Sequence, residues 1–205
     1  MQASLFATGA VVGPRPLGDE VIRRRLAGGE WVDLRPSWVD GADALFVRLH
    51  ERVPWQAERR PMYDRVVDVP RLHRFYDEGS APPDPALVVL REALDARYGS
   101  ELGEPLCTVG CNLYRDGRDS VAWHGDRIGR ASTEDTVVAI VSLGAPRRLL
   151  LRPRGGGTAL RFELRSGDLL VMGGSCQRTW EHAVPKTRRP VGPRISVQFR
   201  PRGVR

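Results

Sequence analysis

Lysine is almost absent from this sequence. Lys186 is the single lysine, and the other 31 of the 32 basic residues are arginine. The formal net charge of +7 at pH 7 permits a polyanionic partner such as nucleic acid. A GC-rich coding sequence produces the same preference for arginine, so the choice of arginine over lysine does not by itself identify that partner.

Cysteine and long apolar segments are scarce as well. The three cysteines, Cys107, Cys111 and Cys176, cannot all pair and form no CxxC motif, so we expect reduced thiols and no zinc held by cysteine. The longest apolar run, residues 137–143, has the length of a buried strand and is far shorter than a membrane span. The N-terminus lacks the features of a signal peptide, so we expect a cytoplasmic protein without membrane contact.

The N-terminal half contains the helical patterns. With 205 residues the chain is long enough for a single domain with one core. Its first forty residues are rich in glycine and proline and are expected to be irregular. Two helices are predicted after them: one over residues 41–53, capped by Asp40, and a second that starts at Asp84 and Pro85 and ends before Gly99.

From residue 106 onward, short strands separated by turns replace the helical patterns. The predicted strands cover residues 106–114, 121–124, 136–143, 148–152, 159–164, 168–172, 180–184 and 194–200. About eight short strands at this spacing favour a sandwich or jelly roll. The predicted fold class is α+β: a double-stranded β-helix (jelly roll) core over residues 105–202, braced by two N-terminal helices. Residues 1–104 form an N-terminal extension of the same domain, with the helices and a substrate lid.

A histidine and a carboxylate lie two positions apart in this β-rich half. On an extended strand, the side chains of His124 and Asp126 point the same way. His182 follows on another predicted strand. Two histidines and one carboxylate form the facial triad that suits iron(II) and leaves coordination positions for a chelating cosubstrate and oxygen. An HxD pair alone is a weak signal, because it also occurs on surfaces near an unrelated histidine.

The last predicted strand alternates strictly between apolar and polar residues. Its polar side carries Arg194, Ser196, Gln198 and Arg200. A solvent-facing edge strand has the same alternation, but this strand begins only 12 residues after His182. Arginine on that side suits a dicarboxylate, because guanidinium binds carboxylate in a bidentate manner. Asn112 and Tyr114 share one strand face in the same way, just before the HxD pair.

Taken in order, these elements resemble the AlkB branch of the iron(II)- and 2-oxoglutarate-dependent dioxygenases, over roughly residues 55–202. The resemblance implies Fe(II), 2-oxoglutarate and O2 as cofactor and cosubstrates. It also implies iron ligation by His124, Asp126 and His182. The implied cosubstrate contacts are Arg194 and Tyr114 at the distal carboxylate, Arg200 and Asn112 near the metal-chelating end, and Ser196 where relatives often have asparagine or threonine.

The stretch from Arg60 to Tyr76 resembles the lid with which this family grips a nucleotide. Tyr76 is the first candidate for stacking on a base, with Trp55 and Phe75 in reserve. The further candidate substrate contacts are Met62, Tyr63 and Arg161. One departure concerns the substrate: repair members commonly carry acidic residues directly after the HxD motif, where this sequence has Arg127-Ile128-Gly129.

The resemblance implies oxidative demethylation of N-alkylated nucleobases with release of formaldehyde, as in DNA alkylation repair. We expect a monomer whose partner is alkylated nucleic acid, DNA before RNA. One alternative is the same iron chemistry on RNA, a protein side chain or a small molecule, which the Arg127 segment keeps open. A second alternative is a basic nucleic-acid-binding module without catalysis, in which the histidines are structural.

Overall fold

The computed structural model describes residues 11–62, 65–127 and 129–204. Two long helices occur in this part of the chain, α1 (Ala42–Arg52) and α2 (Ala86–Leu102), together with the short helix α3 (Cys176–Thr179). The strands are β1 (Gly13–Pro14), β2 (Ile22–Arg25), β3 (Trp31–Arg35), β4 (Val39–Asp40), β5 (Gln56–Met62), β6 (Arg65–Tyr76), β7 (Leu106–Tyr114), β8 (Val121–His124), β9 (Val138–Gly144), β10 (Arg147–Pro153), β11 (Leu160–Leu164), β12 (Leu169–Gly173), β13 (Trp180–Val184) and β14 (Arg194–Pro201).

Most of these strands form two antiparallel sheets. The larger sheet has eight strands in the order β2-β3-β12-β9-β14-β7-β6-β5, and the smaller has four in the order β11-β10-β13-β8. The strands β2, β3, β5 and β6, which come from the first 104 residues, extend the larger sheet at both ends. The sheet therefore continues across the boundary between the predicted extension and the predicted core.

The larger sheet separates two apolar clusters. On one face, Val141, Leu143, Val197 and other strand residues pack with α1 and α2. On the other face, residues of β3, β9 and β12 pack with Leu149, Leu151 and Leu164 of the smaller sheet. Successive residues of a strand point to opposite faces. Hence the polar residues of β14 point away from the helices and toward the smaller sheet.

The two long helices lie where the residue pattern placed them, but their ends differ from the prediction. Asp40 does not cap α1; Gly41 precedes the helix in a left-handed conformation (φ 66°), and Asp40 accepts a hydrogen bond from Arg15 instead. The second helix continues through Gly99 and ends at Gly103, also left-handed at φ 73°. Glycine inside a helix is tolerated when the surrounding turns remain packed, so Gly99 was the wrong stop signal.

The prediction that the first forty residues are irregular was wrong. They contain four short strands, of which β3 pairs with β12 and β2 pairs with β3. A buried cluster holds this segment: Asp33 accepts hydrogen bonds from Arg23 and from the Tyr98 hydroxyl of α2. These partners are distant in sequence, so no local pattern announced the strands. Among the described residues, none of the helices combines the length and apolar character that crossing a membrane requires.

Asp84 joins the two helices and generates a stability prediction. Its buried carboxylate accepts hydrogen bonds from the Ala86 backbone N–H at the start of α2 and from Arg48 of α1. Burial acts to raise the pKa of Asp84, but these hydrogen bonds outweigh it and the pKa lies below its ordinary value. The stabilisation is therefore present above the pKa of the unfolded carboxyl and is lost as the pH falls toward that of the folded one.

We expect Asp84→Ala to lower the free energy of unfolding by about 1–3 kcal/mol at pH 7, as for loss of a cap and a charged hydrogen bond. Urea denaturation at pH 7 and at pH 2.5 measures this, and the difference between variant and parent should shrink at the lower pH. Glu51→Ala, on the exposed side of α1, serves as the control. A loss as large at pH 2.5 as at pH 7 would contradict the role assigned to the carboxylate charge.

Candidate metal centre and cosubstrate cavity

His124, Asp126 and His182 lie together at the inner side of the smaller sheet. His124 on β8 and His182 on β13 are direct partners in the strand register, and their ring centroids are 4.2 Å apart. His124 Nε2 lies 3.7 Å from Asp126 Oδ1. Each of the three residues offers one ligand atom, and these atoms all lie within 4.8 Å of one another. The geometry thus brings together two imidazoles and one carboxylate, a donor set that suits a first-row divalent metal.

The segment between the two ligands of the HxD motif is held by α3. The backbone N–H of Asp126 donates a hydrogen bond to Gln177 Oε1 over 2.9 Å. Gly125 passes so close to the same segment that a Cβ there would lie 2.3 Å from the Gln177 carbonyl oxygen. Only glycine fits such an approach without displacing the backbone. The close approach therefore requires glycine at position 125, and it also restricts the backbone positions of His124 and Asp126.

The protonation states suit metal binding. His124 Nδ1 lies 2.8 Å from the Ala122 carbonyl oxygen, which can only accept, so Nδ1 carries the proton and Nε2 keeps its lone pair. Burial and the neighbouring His124 lower the pKa of His182 to about 3, so its imidazole is neutral. Burial opposes ionisation of Asp126, but Arg200 and the two histidines outweigh it and hold its pKa well below the usual range. A neutral His182 and an ionised Asp126 are thus ready to donate to a metal at neutral pH.

A cavity of about 560 Å³ contains the triad and extends along the polar faces of β7 and β14. At its inner end Arg194 is almost completely buried, with Nε donating to Ser142 Oγ over 2.9 Å. Its Nη1 is also buried and has no hydrogen-bond partner. Burial lowers the pKa of Arg194 to about 10, which leaves the guanidinium charged at neutral pH. A buried, charged donor without a partner is costly unless a ligand satisfies it.

Tyr114 stands beside this arginine, as its partner in the register of β7 with β14. The Arg194 guanidinium lies 5.3 Å from the centroid of the Tyr114 ring, and Arg147 lies 5.5 Å from the same ring. Arg147 is itself fixed by backbone carbonyls of Asp116, Asp119 and Pro185. The inner end of the cavity is therefore rigid and strongly positive.

Two of the remaining predicted cosubstrate residues, Asn112 and Ser196, belong to a series of hydrogen bonds that crosses three strands. Gln198 Nε2 donates to Ser196 Oγ, and Gln198 Oε1 accepts from Asn112 Nδ2. Asn112 Oδ1 in turn accepts from Arg71 Nε of β6 over 3.0 Å. Arg200 stands apart from this series and donates from Nε to Asp126 Oδ2 over 2.7 Å. The series connects the floor of the cavity to the strand that was predicted to belong to the lid.

The lid stretch is the hairpin of β5 and β6, and it places the aromatic residues differently from the expectation. Tyr76 packs against the helix-side core, so it cannot stack on a base in the cavity. Trp55 packs against the same core, whereas Phe75, one position from Tyr76 and on the opposite strand face, lines the cavity. Arg161 is exposed on the edge strand β11 and does not line the cavity. The predicted contacts Met62 and Tyr63 lie outside the residues whose side chains the structure describes.

Several residues of the site were missed by sequence reasoning. Gln177 and Arg71 had no detectable signal, because each acts through a partner more than forty positions away. Glu58 and His73, which line the cavity from the hairpin, were missed as well, because the register of β5 with β6 is irregular between them. Ser142 did have a signal in the sequence, because it is the only polar residue in the apolar run 137–143. A lone hydroxyl in a buried strand needs a partner, and here the partner is Arg194.

Comparisons with known proteins agree with this geometry. The profile of the "2OG-Fe(II) oxygenase superfamily" matches residues 67–200. Bovine (Bos taurus) "Alpha-ketoglutarate-dependent dioxygenase alkB homolog 3" is 32% identical over 194 residues, covering 82% of this chain and 65% of the relative. Human "DNA oxidative demethylase ALKBH2" is 26% identical over 204 residues, covering 85% of this chain and 77% of that protein.

A likeness in fold accompanies the likeness in sequence. A solved structure described as "The structure of OsALKBH1" superposes with a TM-score of 0.60 at 16% identity, covering 88% of this chain and 100% of that one. At this identity the match concerns the fold alone. Among the curated relatives, the alignments to alkB homolog 3 span 65% of the bovine and human proteins, so about a third of their length has no counterpart in the alignment.

The contact at Gly125 generates a prediction. Gly125→Ala should weaken binding of Mn(II) or Co(II) by roughly 10- to 100-fold, the range for loss of outer-shell support at a metal site, because the added methyl must displace either α3 or the ligand pair. Isothermal titration calorimetry measures the affinity. Gly99→Ala, where a Cβ has nothing within 4 Å, is the matched control. Unchanged metal affinity in a folded Gly125→Ala protein would show that the close approach does not position the ligands.

Proposed function

Because this chain belongs to the 2OG-Fe(II) oxygenase superfamily, we propose that it is an AlkB-like Fe(II)- and 2-oxoglutarate-dependent dioxygenase that removes N-linked methyl groups from nucleobases. The observation that carries the proposal is the joint occupation of one cavity by the His124-Asp126-His182 triad and the buried, unsatisfied Arg194. A metal site next to a carboxylate-binding site is what a chelating dicarboxylate cosubstrate requires.

The residues present fit both groups. His124 Nε2, Asp126 and His182 supply the two nitrogens and one oxygen of a facial triad that would hold Fe(II). Arg194 Nη1 would donate to the distal carboxylate of 2-oxoglutarate beside Tyr114, and the Asn112 and Ser196 face would border its other end. When bound, iron, 2-oxoglutarate and O2 would supply the oxidising chemistry that converts an N-methyl group into an N-hydroxymethyl group, which would then be lost as formaldehyde.

The chain's own residues orient the reactants and exclude water. Arg200 holds Asp126 ionised and in place, and Gln177 fixes the backbone of the same residue. Both sheets contribute residues to one apolar cluster. This packing supports the interpretation of the fold as a double-stranded β-helix that forms one domain, with the β5–β6 hairpin as its lid. A base within a duplex cannot reach such a cavity, so it must be flipped out, at a cost of a few kcal/mol.

Nucleic acid as the substrate is supported by three features. The relatives include proteins named as DNA oxidative demethylases. Phe75 presents an aromatic ring to the cavity, and stacking on such a ring contributes about 1–3 kcal/mol per base. The net charge is positive. Arg127, exposed directly after the triad, favours the second candidate: the same chemistry on RNA, a protein side chain or a small molecule.

The cosubstrate assignment is tested with Arg194→Lys. Lysine keeps the charge but loses the planar fork and the contact with Ser142, so the KM for 2-oxoglutarate should rise by about tenfold or more. Succinate production at varied 2-oxoglutarate measures it. Arg189→Lys, on the exposed loop after β13, is the control and should leave the KM unchanged. A folded Arg194→Lys enzyme with the parent KM would overturn the assignment.

The substrate proposal is tested by incubating the iron-loaded protein with single-stranded oligonucleotides that contain 1-methyladenine or 3-methylcytosine. Loss of the methyl group and release of formaldehyde are expected, with single strands preferred over duplexes because no base pair has to be opened. RNA oligonucleotides of the same sequence provide the comparison. If 2-oxoglutarate is decarboxylated but neither base loses its methyl group, the second candidate replaces the first.

A further inference from the structure

The charges that line the cavity pose a problem for the proposed substrate. Adenine methylated at N1 and cytosine methylated at N3 are cations at neutral pH, whereas four of the residues lining the cavity are arginines: Arg71, Arg74, Arg194 and Arg200. Like charges repel, most strongly where water is excluded. A cationic base in this cavity therefore needs a carboxylate beside it.

Among the residues whose side chains the structure describes, three carboxylates line the cavity, and they are not equivalent. Asp126 belongs to the metal triad and is paired with Arg200. Asp77 follows the last residue of β6 and is exposed to solvent, where its field is screened. Glu58 is half-buried at the mouth of the cavity, so its charge acts through a less polar surrounding. Of the three, Glu58 is the one placed to act on a bound base.

The pairing of β5 with β6 is irregular opposite Glu58. Ala57 pairs with Leu72 and Arg59 with Asp68, so one residue of β5 stands opposite three of β6, and the extra residues belong to β6. Such irregularities bend the strands and are frequent beside active sites. Glu58 Oε2 lies 3.5 Å from His73 Nε2, so the histidine borders the carboxylate from the neighbouring strand.

The same strand brings the stacking ring to this carboxylate. Arg71, His73 and Phe75 alternate along β6 and all line the cavity, whereas Leu72 and Tyr76 pack on the helix side. Opposite Phe75 stands Gly110, where a Cβ would lie 3.7 Å from Phe75 Cδ2 and 2.9 Å from Arg200 Nη1. A side chain at this position would collide with Arg200, so glycine is what lets Arg200 and Phe75 approach this part of the cavity wall.

We propose that Glu58 determines specificity for cationic methylated bases: it accepts a hydrogen bond from the exocyclic amine and offsets the positive charge, while His73 positions the carboxylate. This role rests on the proposed demethylase function and names the substrate class within it. It distinguishes 1-methyladenine and 3-methylcytosine, which carry both the charge and the amine, from 3-methylthymine, which is neutral and has a carbonyl at that edge.

The test compares Glu58→Gln with the parent protein. Because glutamine keeps the shape but loses the charge, kcat/KM for a 3-methylcytosine oligonucleotide should fall by roughly 10- to 100-fold, as for loss of one charged hydrogen bond. Binding to the Mn(II)-loaded protein without O2 gives a second readout: fluorescence anisotropy should show the preference for 3-methylcytosine over cytosine lost, with little change for 3-methylthymine.

The controls separate this role from the function on which it rests. Glu92→Gln, exposed on α2, should behave as the parent, and Glu58→Asp should recover part of the preference. If the parent demethylates 3-methylcytosine and Glu58→Gln does so equally well, or if Asp77→Asn carries the loss instead, the assignment of Glu58 is wrong and the function stands. If the parent neither demethylates nor prefers the methylated oligonucleotide, the proposed function itself is wrong and this role falls with it.

Discussion

The ion pair between Arg200 and Asp126 joins the two sheets at the point where the metal ligands meet. Arg200 Nε lies 2.7 Å from Asp126 Oδ2, and both side chains are largely withdrawn from solvent. Burying such a pair costs desolvation that its attraction does not always offset, so it is weak evidence for stability. Its effect on the site is clearer: it keeps the Asp126 carboxylate ionised beside the two imidazoles and holds β14 close to the HxD segment.

A second set of contacts makes the cavity one rigid unit. Hydrogen bonds link Ser196 to Gln198, Gln198 to Asn112 and Asn112 to Arg71. The orientation of each amide is therefore determined by its neighbours. A fully satisfied polar network of this kind specifies a single arrangement of its side chains. Because the last member of this network, Arg71, belongs to β6, the hydrogen bonds extend to the lid hairpin. The polar face of β14 and the hairpin are therefore parts of one hydrogen-bonded network.

The sequence predicted those parts of the site that depend on strand periodicity. The alternation in residues 194–200 placed four polar residues on one face of β14, and the spacing of His124 and Asp126 placed both at one point. Tyr76 shows the limit of the same logic, because an error of one position moves an aromatic ring to the opposite face of the sheet. Glu58 lay beyond it, since the pairing of β5 with β6 is irregular opposite this residue and no sequence pattern announced that irregularity.

The structure also changes how the abundance of arginine is interpreted. Arg23, Arg48, Arg115, Arg130, Arg147, Arg194 and Arg200 are engaged with carboxylates, carbonyls or hydroxyls of the protein itself. Arginine engaged in this way contributes to packing and to the site, and only its residual field reaches a distant phosphate. The positive net charge is thus a poorer guide to a nucleic-acid partner than the cavity is. There the triad suits a metal ion, the buried Arg194 suits a carboxylate, and Phe75 places an aromatic ring at the cavity wall.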